Sequence, residues 1–213
     1  EAQRTENANE STIMNLLVKP RLTDIQTQIV EYEFPESAKP LYPVYDGKDS
    51  IWISDASAPR IWQFLLQTQE FSSYSFDGLT TTFLTQDNDG RIWFTDTPRN
   101  QIGFFDPENK QITTKTIPKL DPVISDNTPI FIQADFDGNI WITIINKDRI
   151  VKYIPKLDVF EEIVLPDKES LPFALTVNKD GKIWYSTTGS GKIGFINPED
   201  NQITQISSQL SLQ

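Results

Sequence analysis

With 213 residues, 38% of them hydrophobic and 11% aromatic, the chain has enough apolar side chains for one domain with a real core, and it is neither disordered nor collagenous. A formal net charge of −11 leaves no positive footprint for nucleic acid or anionic lipid, and its main effect is solubility. The absence of cysteine and histidine excludes disulfides, thiolate catalysis and zinc–sulfur sites, and removes the commonest general base. Any chemistry must rest on carboxylates, Lys, Arg, Tyr and hydroxyls, or on a hard cation held by oxygen.

Residues 1–24 read as a flexible lead-in: polar to Thr12, briefly apolar at Met14, Leu16, Leu17 and Val18, then stopped by Pro20. The first residue is Glu1 rather than Met, as removal of a signal peptide would leave it, and Asn9-Glu10-Ser11 is a glycosylation triplet with meaning only in a secretory setting. No run of 18 apolar residues offers a membrane span. Residues 28–34 alternate Val30, Tyr32 and Phe34 with Glu31 and Glu33, the period of a strand with one wet face.

After Pro40 the chain repeats. Asp89-Gly90-Arg91-Ile92-Trp93-Phe94-Thr95-Asp96 recurs around Trp141 and Trp184, and a looser copy with two extra residues, Asp46-Gly47-Lys48-Asp49-Ser50-Ile51-Trp52, precedes it. A period in the forties is the mark of a repeat architecture. Each repeat divides into four strands, a to d. Strand a leads to an Asp-Gly hairpin turn, strand b carries the tryptophan, and strand d pairs an apolar residue with another five positions on (Phe71 and Phe76, Ile112 and Ile117, Phe160 and Leu165). The blades span about 41–76, 82–117, 131–165 and 173–206, and residues 28–34 resemble an extra d strand without partners.

Strand b decides the fold class. Ile92-Trp93-Phe94, Ile140-Trp141-Ile142 and Ile183-Trp184-Tyr185 are apolar at consecutive positions, and consecutive residues point to opposite faces of a sheet. Both faces must be covered, as in four-stranded antiparallel blades stacked around an axis. The expectation is an all-β β-propeller, with a parallel β-helix as the weaker reading.

The pattern Asp-Gly-x-Ile-Trp-Phe-Thr, then Ile102-Gly103-Phe104-Phe105-Asp106-Pro107 and Gln111-Ile112-Thr113, echoed by Ile193-Gly194-Phe195-Ile196-Asn197-Pro198, resembles the repeat of the virginiamycin B lyase (streptogramin lyase) family over about residues 25–208. The resemblance implies a ring of about seven blades, and for the lyases an elimination that opens the ester of a cyclic peptide antibiotic with a magnesium ion and a histidine base. A chain without histidine departs from that pattern at its reactive centre. Four complete blades plus one extra strand are expected to form part of a larger propeller or to complete a ring with other chains, the end at Ser211-Leu212-Gln213 reading as a linker. A closed four-bladed ring is the alternative.

Candidate sites follow from position. Asp55 and Asp96 stand just after strand b, with Arg60 and Arg99 a few residues on. These four are the ligand-binding candidates on the face of the b–c loops, where paired carboxylates could also do acid–base work. Against that, such pairs also cap loops, and the later repeats place Ile144 and Thr187 there. Asp87-Asn88-Asp89-Gly90 and Asp135-Phe136-Asp137-Gly138 open like calcium loops, but the twelfth positions are Pro98 and Asn146, so they read as hairpin turns. Gly189-Ser190-Gly191 reads as a b–c loop. Trp62 groups with Phe104, Tyr153 and Phe195 as packing on strand c. The function expected is a non-catalytic, extracytoplasmic protein-binding or scaffold module whose partner is another protein or the remaining blades, without cofactor. The alternative is a lyase-like or lactonase-like enzyme using oxygen-ligated Mg²⁺ or Ca²⁺, with its site partly outside this segment.

Overall fold

A computed structural model describes residues 29–35, 38–120 and 126–206. The chain divides into two compact units, Glu1–Glu33 and Phe34–Gln213. In the first, the described residues 29–33 are exposed and irregular. The strand expected over 28–34 is therefore not formed in residues 29–34. A strand exists through its ladder, and alternation alone cannot supply a partner edge. The lead-in of residues 1–24, the Asn9 triplet and the linker at Ser211–Gln213 lie outside the described residues.

The second unit is all-β. Its described residues form four antiparallel four-stranded sheets, each a run of neighbours in sequence. Blade 1 is β1 (Pro40–Tyr45), β2 (Ser50–Asp55), β3 (Arg60–Leu65) and β4 (Glu70–Ser75). Blade 2 is β5 (Leu84–Gln86), β6 (Ile92–Asp96), β7 (Gln101–Asp106) and β8 (Gln111–Thr116). Blade 3 is β9 (Pro129–Ala134), β10 (Ile140–Ile144), β11 (Arg149–Ile154) and β12 (Val159–Val164). Blade 4 is β13 (Pro172–Val177), β14 (Ile183–Thr187), β15 (Lys192–Ile196) and β16 (Ile203–Ile206). Inner strands pack in series, β1 on β5, β5 on β9 and β9 on β13, and no comparable packing joins β13 back to β1. The second unit is thus an open arc of four propeller blades, and the closed four-bladed alternative is set aside.

The glue between blades is repetitive. In blades 1 to 3 the tryptophan of the second strand faces the next blade. Trp52 clusters with Leu84, Ile92, Phe94 and Phe105, Trp93 with Ile140, Ile142, Val151 and Tyr153, and Trp141 with Leu175, Ile183, Tyr185 and Ile196. The neighbouring residues Ile and Phe, Ile or Tyr face the preceding blade, which is why three consecutive apolar residues are needed. A hydroxyl bridges each seam as well. The Oγ of Ser54, Thr95 and Thr143 accepts from the inner-strand amides of Tyr42, Phe83 and Phe131. The same hydroxyls donate to the carbonyls of Thr82, Ile130 and Phe173 in the following blade, at 2.7, 2.9 and 2.9 Å. Gly103 lies where a Cβ would stand 2.5 Å from the Phe94 ring, and Gly194 where one would stand 2.6 Å from the Tyr185 hydroxyl oxygen, so the Ile-Gly pair of the repeat clears room for a ring on the adjacent strand.

The turn before each tryptophan strand has one register in all four blades. Asp46, Asp87, Asp135 and Asn178 accept from the amides two and four positions on, and each lies six residues before its tryptophan. The first copy therefore carries no insertion: Asp46 matches Asp87, not Asp89, and only its glycine has moved forward. The pairs of apolar residues five apart in the fourth strands have a matching cause. Phe76, Ile117 and Leu165 fall just past the strand, are buried, and donate their amides to Pro59, Asn100 and Asp148.

Candidate functional site

The loops joining second to third strands lie at one end of the blades, together with the loops that lead from one blade to the next. Asp55 closes β2 there and is buried with its side chain fully covered. Its carboxylate accepts from the Lys39 amide (3.1 Å), the Ser57 amide (2.7 Å) and hydroxyl (2.6 Å), Arg60 Nε (2.6 Å) and Trp62 Nε1 (3.0 Å). Burial alone would push this carboxyl up. The Ser57 hydroxyl, the Trp62 indole and the Arg60 guanidinium overcome it and hold Asp55 well below the usual carboxylate range. The guanidinium also lies over the Trp62 ring, 4.7 Å from its centroid.

Asp96 closes β6 in the same way and is fully buried. It accepts from the Thr80 hydroxyl (2.7 Å) and amide (3.3 Å), and from Arg99 Nη1 (3.1 Å) across a single 3-10 turn of residues Thr97–Arg99. Sequence reasoning picked out two acid–base pairs, and both form: Asp55 with Arg60, Asp96 with Arg99. They belong to adjacent blades and meet through the loop between them, where the Thr81 hydroxyl donates to the Arg60 carbonyl at 2.9 Å. A cleft of about 370 Å³ runs beside this loop, lined by Leu41, Asp55, Ser57, Thr80, Thr81 and Thr82 among others.

Blades 3 and 4 replace these acids with the buried Ile144 and with Thr187, whose hydroxyl bonds back to Lys192. In blade 3 the loop carboxylate comes later. Asp148 accepts from the Glu169 amide (2.9 Å) and from the Ser170 amide (2.6 Å) and hydroxyl (2.8 Å). Burial opposes its ionisation, but these Ser170 and Glu169 donors hold it below the usual range. Ser57, Trp62 and Thr80 are the site residues that sequence reasoning missed. Strand position groups Trp62 with Phe104, Tyr153 and Phe195, but the register sets it opposite Ile53, whereas Phe104 and Phe195 stand opposite Trp93 and Trp184. Its signal was the spacing Asp55-x₄-Arg60-x-Trp62, which returns two donors to one carboxylate.

The fit of a divalent cation can be tested on these residues. Among the described residues no three acidic side chains gather to hold one. Asp87 and Asp135, the openings of the calcium-like loops, spend their oxygens on their own turns and on the indoles of Trp93 (2.6 Å) and Trp141 (2.8 Å). Among the described residues the donor set does not fit a magnesium or calcium ion.

Four-stranded antiparallel blades packed on one another through interblade tryptophans define a β-propeller. The sequence pattern of the virginiamycin B lyase family matches residues 20–209, and the chain belongs to that family. Its fold is similar to that of a catalytically inactive virginiamycin B lyase from Staphylococcus aureus, a histidine-to-alanine variant with quinupristin (TM-score 0.75, 23% identity, 86% of this chain and 61% of that one). It is also similar to the selenomethionine-substituted enzyme from Staphylococcus aureus (TM-score 0.70, 26% identity, 81% and 56%). An auxiliary nutrient binding protein from Bacteroides thetaiotaomicron shares the fold at 14% identity (TM-score 0.60, 79% and 47%). The chain thus spans 56% to 61% of the two lyase structures. No curated protein sequence is significantly similar to it.

Proposed function

We propose that this chain is a non-catalytic, extracytoplasmic propeller module that binds a protein partner, with the loop face around Asp55, Arg60, Asp96 and Arg99 as its contact surface. One observation carries the reading. In a sequence without histidine, the acids that the fold brings to that face are each engaged by donors of their own chain, five on Asp55 and the Thr80 and Arg99 donors on Asp96. A general base needs a free lone pair within reach of the proton it takes. Asp55, held ionised by five donors, has neither the basicity nor the access. What the face offers outward is hydroxyls and the half-exposed Arg99 guanidinium, groups suited to polar recognition. No helix among the described residues is long and apolar enough to cross a membrane.

The lyase-like reading needs a divalent cation, and calorimetric titration of the intact chain with Mg²⁺ and with Ca²⁺ separates the two. The proposal expects no saturable heat from either ion. A stoichiometric site in the micromolar range, abolished by Asp55→Asn or Asp96→Asn, would overturn it.

A further inference from the structure

At the loop end of blades 1, 2 and 4 a cation of each blade is neutralised by an acid. Arg60 pairs with Asp55, Arg99 with Asp96, and Lys192 with Asp167. In blade 3 Arg149 pairs with Glu162, but a second cation, Lys147, is left over. Ile144 closes β10 where an acid closes β2 and β6, and the turn after it is held by the Lys147 amide on the Ile144 carbonyl at 3.1 Å. The Lys147 ammonium nitrogen is buried, and among the described residues it has no hydrogen-bond acceptor. The polar groups of the neighbouring loops are already engaged. Asp148 takes the Glu169 amide and the Ser170 amide and hydroxyl. Asn146 takes the Thr128 amide and donates to the Asp126 carbonyl. Asp167 holds Lys192 and Gln205. Glu169 is exposed and makes no bond to the Lys147 ammonium. An ammonium withdrawn from water without an acceptor is destabilising, and an anion seated beside it removes that cost.

Lys147 lines a hollow of about 720 Å³ between its own loop and the loop that leads to blade 4. That is the size of a small-molecule site. Leu120, Val164, Leu165 and Pro166 give the hollow an apolar wall. We propose that it binds a small organic monocarboxylate, with the carboxylate on the Lys147 ammonium and the apolar body along Leu120, Val164 and Pro166. The charge of the ligand follows from the rim. Arg149 adds a cation, but its guanidinium is engaged by Glu162 and by the carbonyls of Lys147 and Asp148. Lys168 is exposed, where water and salt screen it. Asp148, Asp167 and Glu169 line the same hollow, so a dianion such as phosphate meets more repulsion there than a monoanion does. This site lies in the loops around blades 3 and 4 and shares no residue with the Asp55 and Asp96 surface, so the two readings fail separately.

Hexanoate is the probe, with hexanamide as its uncharged counterpart and inorganic phosphate as the dianion. Calorimetric titration of the full chain is expected to give saturable binding of hexanoate and far weaker binding of the other two. Lys147→Met keeps the aliphatic stem and is expected to weaken hexanoate by about tenfold or more, since a hydrogen bond to a charged group is lost. Lys147→Arg should restore most of that loss, and Glu169→Gln should leave binding unchanged or tighter. Urea unfolding gives a readout without ligand. Lys147→Met is expected to raise the midpoint of the free chain, because it removes an uncompensated buried charge. Hexanoate is expected to raise the midpoint of the parent chain and not that of Lys147→Met. Absence of saturable hexanoate binding would overturn the proposal. So would equal binding of hexanamide, preference for phosphate, or binding undiminished in Lys147→Met. A free Lys147→Met chain with a lower midpoint than the parent would show Lys147 already paired within the protein, and would overturn it as well.

Discussion

The indole Nε1 of Trp93 donates to the Asp87 carboxylate at 2.6 Å, six residues earlier in the chain, and the same carboxylate takes the amides of Asp89 and Arg91. One side chain therefore sets the turn and fixes the rotamer of the residue that glues blade 2 to blade 3. Blade 3 repeats the arrangement with Asp135 and Trp141. Asp87→Ala leaves a buried indole N–H and two turn amides without an acceptor and is expected to cost about 1–3 kcal/mol in urea unfolding. Asp87→Asn should cost less, since Asn178 holds the blade 4 turn through the same two amides at 3.1 and 2.9 Å.

The seam tryptophans should differ by position. Trp141→Ala empties a fully buried site between two blades and is expected to destabilise by about 3–5 kcal/mol. Trp184→Ala removes a half-buried ring from an uncovered face and should cost clearly less. Equal losses in chemical denaturation would mean that blade 4 is covered in solution.

Gly103 tests packing rather than backbone freedom. A methyl group there meets the Phe94 ring at 2.5 Å, and Phe94 is fully buried with no room to retreat. Gly103→Ala is expected to cost about 1–3 kcal/mol. Adding Phe94→Leu should restore part of that loss, a coupling that a double-mutant cycle reads directly.

Acid should unfold the chain through its loop carboxylates. Asp55 and Asp148 are both lowered in the folded state. A depressed carboxyl adds stability above its unfolded value of about 3.9 and loses it as pH falls through the folded value. Stability is therefore expected to be flat near neutrality and to fall below about pH 4. Asp55→Asn should lower the plateau and make that fall shallower, as read from urea midpoints between pH 7 and pH 2.5.

The fold class was legible because strand b announces it. Three consecutive apolar residues have no use in a sheet with a wet face, and the repeat places them at each seam. Residues 28–34 show the limit of the same reasoning. Their alternation is that of a strand, but a strand also needs an edge to pair with, and alternation carries no information about that edge. The register of Asp46 was hidden for a similar reason. A glycine moved within the turn looks like an insertion until the amides two and four residues on are seen to share one carboxylate. At the candidate site the acid–base pairs could be read from short spacings. The bonds to Asp55 from Lys39 and Trp62, and to Asp96 from Thr80, could not, because donors 7 and 16 residues away reach the carboxylate only once neighbouring strands and loops are in place.

This propeller of the lyase family, without histidine and with its loop carboxylates bonded within the chain, is proposed to recognise without reacting. Incubating the full chain with quinupristin and Mg²⁺ beside a virginiamycin B lyase, and separating cyclic from ring-opened peptide by chromatography with fragmentation mass spectrometry, because elimination leaves the mass unchanged, tests it most directly. The account predicts that the cyclic peptide stays intact with this chain while the lyase opens it. Turnover of the ester by the purified chain, lost in Asp55→Asn or Asp96→Asn, would contradict it.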